Sequence, residues 1–165
     1  SLLNPSLKIL DIGCGIGNAA SLIAPYVTEV VGIDRETTML NEAKQRPDLT
    51  NNITFVEGDA TSLPMKNASF DVAMFCLVLH HIEDINTAVC EASRVLRDGG
   101  RVLIIDMQEH IHKEFKHTMG HVHLGFSESD MKTLATSAGL TLLNYYRLRP
   151  ETASSGPSLF AALLG

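Results

Sequence analysis

The chain has 165 residues, of which 45% are hydrophobic and 19% charged, and its formal net charge is −6. This length and composition are typical of one globular domain with a sizeable core. The acidic balance disfavours a general affinity for nucleic acid or anionic lipid, and no apolar run approaches the roughly 18 residues of a membrane helix. We therefore expect a small-molecule partner, no nucleic acid and no membrane.

The first predicted element is a short buried strand that leads into a glycine turn. Ile9, Leu10 and Ile12 form the strand, and Gly13, Gly15 and Gly17 follow on alternate positions. Glycines at the carboxyl end of a strand let the backbone turn sharply and approach a ligand closely. A short helix over 18–24 would direct its free N–H groups at this turn. The stretch predicts a cofactor-binding turn.

Strands and helices alternate along the chain as far as residue 107. Periodicity predicts further strands over 29–34, 52–59, 70–78 and 101–107, with helices over 35–46 and 85–96 between them. We expect Asp98-Gly99-Gly100 to stop the second of these helices through a left-handed glycine cap. This alternation predicts a doubly wound α/β sheet with right-handed crossovers.

The last part of the chain departs from this pattern. Ser127 is expected to cap a helix that closes at Gly139, and two apolar runs follow over 140–148 and 158–164. The turn-rich connector between the two runs indicates an antiparallel hairpin at the end of the sheet, which gives seven strands.

The spacing of the glycines narrows the choice of ligand. The dinucleotide fingerprint is G-x-G-x-x-G, but the third glycine here falls one position early, at Gly17, and Asn18 takes the fingerprint's place. This counts against NAD and FAD. No Gly-Lys-Ser/Thr follows, so a Walker phosphate loop is also disfavoured.

Two acidic residues at predicted strand ends indicate a nucleoside. Asp34 ends the second strand, where a carboxylate can accept hydrogen bonds from both ribose hydroxyls. Asp59 ends the third strand and can accept from an adenine amino group, with the backbone N–H of Ala60 available to a ring nitrogen. Met39 either covers the adenine face or only packs in the core. Asp11 and the glycine turn remain for a charged amino-acid portion.

These stretches resemble the class I S-adenosylmethionine-dependent methyltransferases. The resemblance is carried by L-D-I-G-C-G-I-G-N at 10–18, V-G-I-D-R-E-T-T-M-L at 31–40, G-D-A at 58–60, and the blocks over 70–82 and 94–106. The chain is similar to the small methyltransferases of quinone biosynthesis. Its segment over 121–134 resembles methyltransferase domains fused to winged-helix metalloregulators.

The resemblance implies a fold and a cofactor. The fold is a mostly parallel seven-stranded sheet in the order 3-2-1-4-5-7-6, with the last strand antiparallel and helices on both faces. The cofactor is S-adenosylmethionine, with S-adenosylhomocysteine as the product. Its implied binding residues are Asp11, Gly13, Gly15, Gly17, Asp34, Arg35, Met39, Asp59, Ala60 and Cys76.

The resemblance also implies an enzyme, a methyltransferase acting on a small-molecule acceptor. The family usually carries an N-terminal helical segment over the cofactor, whereas this chain enters its first strand within about eight residues. We therefore expect 1–165 to be a single class I methyltransferase domain without that helical lid. A module that binds the same cofactor without turnover is the alternative.

Methyl transfer requires alignment more than a catalytic triad, because the cofactor carries the activated group. His80 and His81, just beyond the fourth strand, are the candidates for a catalytic base, and the competing interpretation is that one of them only packs the following helix. Asp106 and Glu109 either reach the pocket or cap a loop.

The remaining histidines and the cysteines give weaker signals. His110, His112, His117, His121 and His123 lie in one predicted loop, but no HExxH or Cys/His set fixes a metal geometry, so we predict no metal. The cysteines Cys14, Cys76 and Cys90 have no CxxC spacing, which disfavours a disulfide framework and suits a reducing cytoplasm. The acceptor and the oligomeric state stay open.

Overall fold

The computed structural model describes residues 5–110, 122–149 and 156–165 of the chain. Seven strands form one sheet in the order β3-β2-β1-β4-β5-β7-β6. The strands are β1 (Lys8–Ile12), β2 (Glu29–Asp34), β3 (Ile53–Glu57), β4 (Phe70–Cys76), β5 (Leu96–Met107), β6 (Leu142–Arg147) and β7 (Leu159–Leu164). The first five pair in parallel, and β7 pairs antiparallel with both β5 and β6. The predicted fold class and strand order are confirmed.

Four α-helices flank this sheet in the described residues. They are α1 (Asn18–Ile23), α2 (Thr37–Lys44), α3 (Ile85–Val95) and α4 (Glu128–Ser137), with 3₁₀ turns at Ala24–Tyr26 and Leu79–His81. The predicted N-cap of α4 is confirmed, because the Ser127 side chain accepts from the Asp130 N–H and the Asp130 carboxylate accepts from the Ser127 N–H.

Hydrophobic residues cover both faces of the sheet, as buried parallel strands require. The larger core joins Leu10, Ile12 and Phe75 to apolar residues of α3 and α4. A smaller core on the other side joins Ile9 to Ala20 of α1. Successive residues of β1 thus point to opposite faces, and this alternation sends Asp11 to the side of α1.

Two predicted strand ends and one predicted helix cap are wrong. The third strand ends at Glu57 and not at Asp59, and the fourth ends at Cys76, where Leu77 takes a positive φ of 55°. The predicted glycine cap of α3 is also wrong, because the helix ends at Val95 and 98–100 lie within β5. Leu96 pairs directly with Phe70, so strand pairing ends the helix before the glycines are reached.

Apart from β5, which begins at Leu96 and not at the predicted 101, the other helix and strand limits lie within a few residues of the prediction. The helix over 18–24 ends at Ile23 and continues as a 3₁₀ turn, and α2 is shorter than the predicted 35–46. The two final strands are likewise shorter than the apolar runs that predicted them. Most of the connector between them lies outside the described residues.

Candidate functional site

The carboxyl ends of β1, β2 and β3 border one cavity of about 580 Å³. Ile12 and Gly13 line it at the end of β1, 33–35 at the end of β2, and 58–61 in the turn after β3. Val78, 81–84 and Val122 line the opposite side. The carboxyl edge of an open α/β sheet is where such folds bind their ligands.

Glycine is required at two positions in the turn after β1. Gly13 has a φ of 70°, and a Cβ there would collide with the side chain of Val78. Gly17 has a φ of 77°, and a Cβ would lie 2.7 Å from Cζ of Phe55. Any larger residue would strain the backbone and displace these neighbours. Gly15 lies between them and faces open space.

Asp34 fastens the turn to the end of β2. Its Oδ2 accepts from the Gly15 N–H at 2.7 Å, and its Oδ1 accepts from the Glu36 N–H at 2.9 Å. The N–H groups of Gly13 and Cys14 both donate to the carbonyl of Ile33, at 2.7 and 3.0 Å. A carboxylate oxygen can accept more than one hydrogen bond, so Asp34 retains capacity toward the cavity.

Asp11 lies behind the glycine turn and is 1% exposed. Its Oδ2 has no hydrogen-bond partner among the described residues, while the Ala20 N–H bonds to the carboxyl group. Burial raises the pKa of Asp11 to about 7, and the nearby charge of Asp34 contributes in the same direction. A buried carboxyl with an unsatisfied oxygen is poised to receive a cationic or donor group.

The turn after β3 presents Asp59 and Ala60 to the cavity. Asp59 Oδ1 accepts from the N–H of Thr61 at 2.7 Å and from its hydroxyl at 2.6 Å. These two hydrogen bonds hold the pKa of Asp59 below its usual value. The Asp59 side chain therefore stays ionised. The two hydrogen bonds from Thr61 also fix its orientation, since Asp59 lies two residues beyond the end of β3.

The cavity brings together only part of the predicted cofactor set. Gly13, Asp34, Arg35, Asp59 and Ala60 line it. Five others do not: Asp11, Gly15 and Gly17 lie in or behind the turn, Met39 is 44% exposed on α2, and Cys76 is half-buried at the end of β4.

The two candidate catalytic histidines have different surroundings. His81 is exposed and lines the cavity, whereas His80 is 4% exposed. Nδ1 of His80 lies 2.7 Å from Oδ1 of Asp106, and the His80 N–H donates to Oδ2 at 3.3 Å. The carbonyl of His80 accepts from the N–H groups of Val122 and His123. His80 therefore supports the wall of the cavity from behind.

The two acidic residues near the end of β5 do not line the cavity. Asp106 is fully buried, and its Oδ1 also accepts from the Met107 N–H at 2.7 Å. Glu109 is exposed. The capping alternative for Asp106 matches this arrangement, because its carboxylate binds the backbone of two segments.

Glu83, Asp84 and Val122 line the cavity without having been identified from the sequence. One signal was available for Asp84, since its carboxylate caps α3 by accepting from the N–H and hydroxyl of Thr87, three residues on. The Val122 N–H donates to the His80 carbonyl, and this contact holds Val122 at the cavity. No local sequence pattern predicts a contact between residues so far apart in the chain.

Most of the histidine-rich loop falls outside the described residues, including His112, His117 and His121. Within the described residues, no group of three His, Cys, Asp or Glu side chains is placed to hold a metal ion. In the same residues, no helix has the length and apolar character needed to cross a membrane.

The sequence profile of a family described as "Methyltransferase domain" matches residues 10–104. The chain is 38% identical over 101 residues to the uncharacterized methyltransferase YcgJ of Bacillus subtilis, an alignment that covers 60% of this chain and 40% of YcgJ. It is 33% identical over 115 residues to the ubiquinone/menaquinone biosynthesis C-methyltransferase UbiE of Rhizobium etli, with 64% and 43% covered. The matched segments thus span less than half of either relative.

Solved structures share the architecture over almost the whole chain. An S-adenosylmethionine-dependent methyltransferase from Mesorhizobium loti has a TM-score of 0.80 at 20% identity, covering 99% of this chain and 93% of the other. The chain therefore belongs to the methyltransferase domain family, and its fold is that of the class I S-adenosylmethionine-dependent methyltransferases.

Proposed function

We propose that this chain binds S-adenosylmethionine in the cavity at the ends of β1, β2 and β3 and transfers its methyl group to a small-molecule acceptor. The observation that carries the proposal is the convergence of Asp34, Asp59 and the glycine turn on one cavity. S-adenosylmethionine carries a ribose, an adenine and a charged methionine portion, which in this proposal meet these three features.

In this proposal different residues around the cavity bind different parts of the cofactor. Asp34 accepts from the ribose hydroxyls with the lone pairs that the Gly15 and Glu36 N–H groups leave unused. Thr61 occupies Oδ1 of Asp59, so Oδ2 receives the adenine amino group, and the Ala60 N–H meets a ring nitrogen. The open space at Gly15 takes the methionine portion, whose ammonium group is held by Asp11.

When bound, S-adenosylmethionine supplies a methyl group activated by a positively charged sulfur, which becomes a neutral thioether on transfer. The protein aligns the acceptor with that methyl group. Where the acceptor's nucleophile carries a proton, His81 receives it, because His81 lines the cavity and His80 does not. Asp106 and His80 fix the 3₁₀ turn that carries His81.

The acceptor is proposed to be a small, fairly apolar molecule of the hydroquinone or phenol type. Relatives named as quinone-biosynthesis methyltransferases support this class. A cofactor-binding module without turnover is not favoured, because YcgJ and UbiE are both named as methyltransferases. The free thiols of Cys14, Cys76 and Cys90 support a reducing cytoplasm as the location.

Replacing Asp34 with alanine is expected to weaken S-adenosylhomocysteine binding by about 1.5–3 kcal/mol, the usual contribution of charge-assisted hydrogen bonds. Isothermal titration calorimetry measures the change. Glu57→Ala is the matched control, because Glu57 is the partner of Asp34 in the β2–β3 register and does not line the cavity. Equal affinities for Asp34→Ala and the wild type would remove Asp34 from the ribose role.

Affinity for S-adenosylhomocysteine is expected to rise up to about tenfold between roughly pH 6 and 8, as Asp11 ionises with its pKa of about 7. Ionised Asp11 attracts the ligand's ammonium group. Asp11→Asn should flatten this dependence in pH-resolved calorimetry. An unchanged slope in the variant would assign the pH effect to another group.

The same group gives a stability test. The pKa of Asp11 in the folded chain lies above the ordinary aspartate value of 3.8 that applies to the unfolded chain, so its contribution to stability falls as the pH rises toward 7. Asp11→Asn should therefore melt at a higher temperature than the free wild type at pH 8, and an equal or lower melting temperature would contradict the raised pKa.

Transfer itself is tested with tritiated S-adenosylmethionine and a panel of hydroquinones, phenols and small amines. We expect labelled product from at least one hydroquinone or phenol. His81→Ala should lower turnover of a proton-bearing nucleophile by about 10²–10⁴, as for loss of a general base, with unchanged S-adenosylhomocysteine affinity. Glu83→Gln is the control at the same wall. Tight cofactor binding without product from any acceptor would favour the binding module.

A further inference from the structure

An ion pair on α3, outside the cavity, makes hydrogen bonds to a single loop. Glu91 and Arg94 lie one helical turn apart, and the guanidinium binds both carboxylate oxygens: Nε to Oε1 at 2.7 Å and Nη2 to Oε2 at 2.7 Å. Both side chains are partly buried, with 21% and 30% of their surface exposed. This bidentate geometry fixes the plane of the guanidinium.

The remaining donors and acceptors of this pair bind the segment 63–68. Arg94 donates to the carbonyl of Leu63 at 3.1 Å, to that of Met65 at 2.9 Å and to Oδ1 of Asn67 at 2.7 Å. Glu91 accepts from the Leu63 N–H at 2.9 Å, and the Arg94 carbonyl accepts from the Ala68 N–H. An exposed ion pair stabilises a helix by only a few tenths of a kcal/mol, whereas this one holds a whole loop in place.

This loop packs against residues 58–61, which form one wall of the cavity. Leu63 is 5% exposed and anchored in the larger core. Pro64 packs over Gly58, where an added Cβ would lie 2.9 Å from its Cδ. The Ser62 N–H donates to the Asp59 carbonyl at 3.1 Å. Movement of 63–65 would therefore displace Asp59 and Ala60.

We infer that Glu91 and Arg94 are positioning residues for the adenine end of the cofactor, acting through 63–65 on the wall that carries Asp59. The inference rests on the proposed function, since it takes Asp59 as the adenine contact. Neither Glu91 nor Arg94 lines the cavity.

The test compares the S-adenosylhomocysteine affinity of the wild-type chain, Arg94→Lys and Glu91→Gln by calorimetry, with thermal melts to confirm folding. Lysine keeps the charge but not the planar fork. We expect at least about fivefold weaker binding for both variants, the lower end of the usual coupling between linked sites. Arg97→Lys is the matched control, because Arg97 pairs with Asp71 at the opposite end of β4 and should bind like the wild type.

A double-mutant cycle separates positioning from general stability. The Arg94→Lys effect should become smaller in an Asp59→Ala background, where only the Ala60 contact remains, and keep its full size in an Asp11→Asn background. Additivity with Asp59→Ala would overturn the inference, as would lower melting temperatures with unchanged affinity. If the wild type binds no S-adenosylhomocysteine, the proposed function and this inference both fail; if the wild type binds and both variants match it, the inference alone fails.

Discussion

The structure depends on the attachment of the glycine turn to the end of β2. The Gly15 N–H donates to Asp34, and the N–H groups of Gly13 and Cys14 share the carbonyl of Ile33. A turn with three positive-φ glycines would otherwise be free to adopt many conformations, because glycine loses more conformational entropy on ordering than any other residue. These hydrogen bonds hold the turn against the end of β2, beside the cavity.

Two further networks shape the rest of the cavity from outside it. Asp106 holds His80, whose carbonyl in turn holds Val122 against the cavity. Glu91 and Arg94 hold the loop after Asp59. In both networks an acidic or basic side chain binds backbone groups of a segment that lies outside the α-helices and the sheet. The sheet thus supplies the strand ends, while charged side chains order the connections between them.

Apolar runs and glycine spacing are local signals, and they predicted the strands and the residues at the ends of β1 and β2. The order of the strands in the sheet came from the family resemblance. The sequence attributed the end of α3 to the glycines at 98–100, whereas the tertiary pairing of Leu96 with Phe70 ends the helix at Val95. It treated His80 and His81 alike, although one is buried on Asp106 and the other lines the cavity. The contacts of Glu91 and Arg94 with Leu63 could not be predicted from local sequence signals, because Leu63 lies about 30 residues away in the sequence.

In the proposed site, the ends of β2 and β3 hold one nucleoside jointly. A crystal structure of the chain with S-adenosylhomocysteine tests it most directly. We expect the ribose hydroxyls on the Asp34 carboxylate, the adenine amino group on Asp59, and Gly13, Gly15 and Gly17 around the homocysteine portion. A ligand whose ribose and adenine meet neither carboxylate would contradict it.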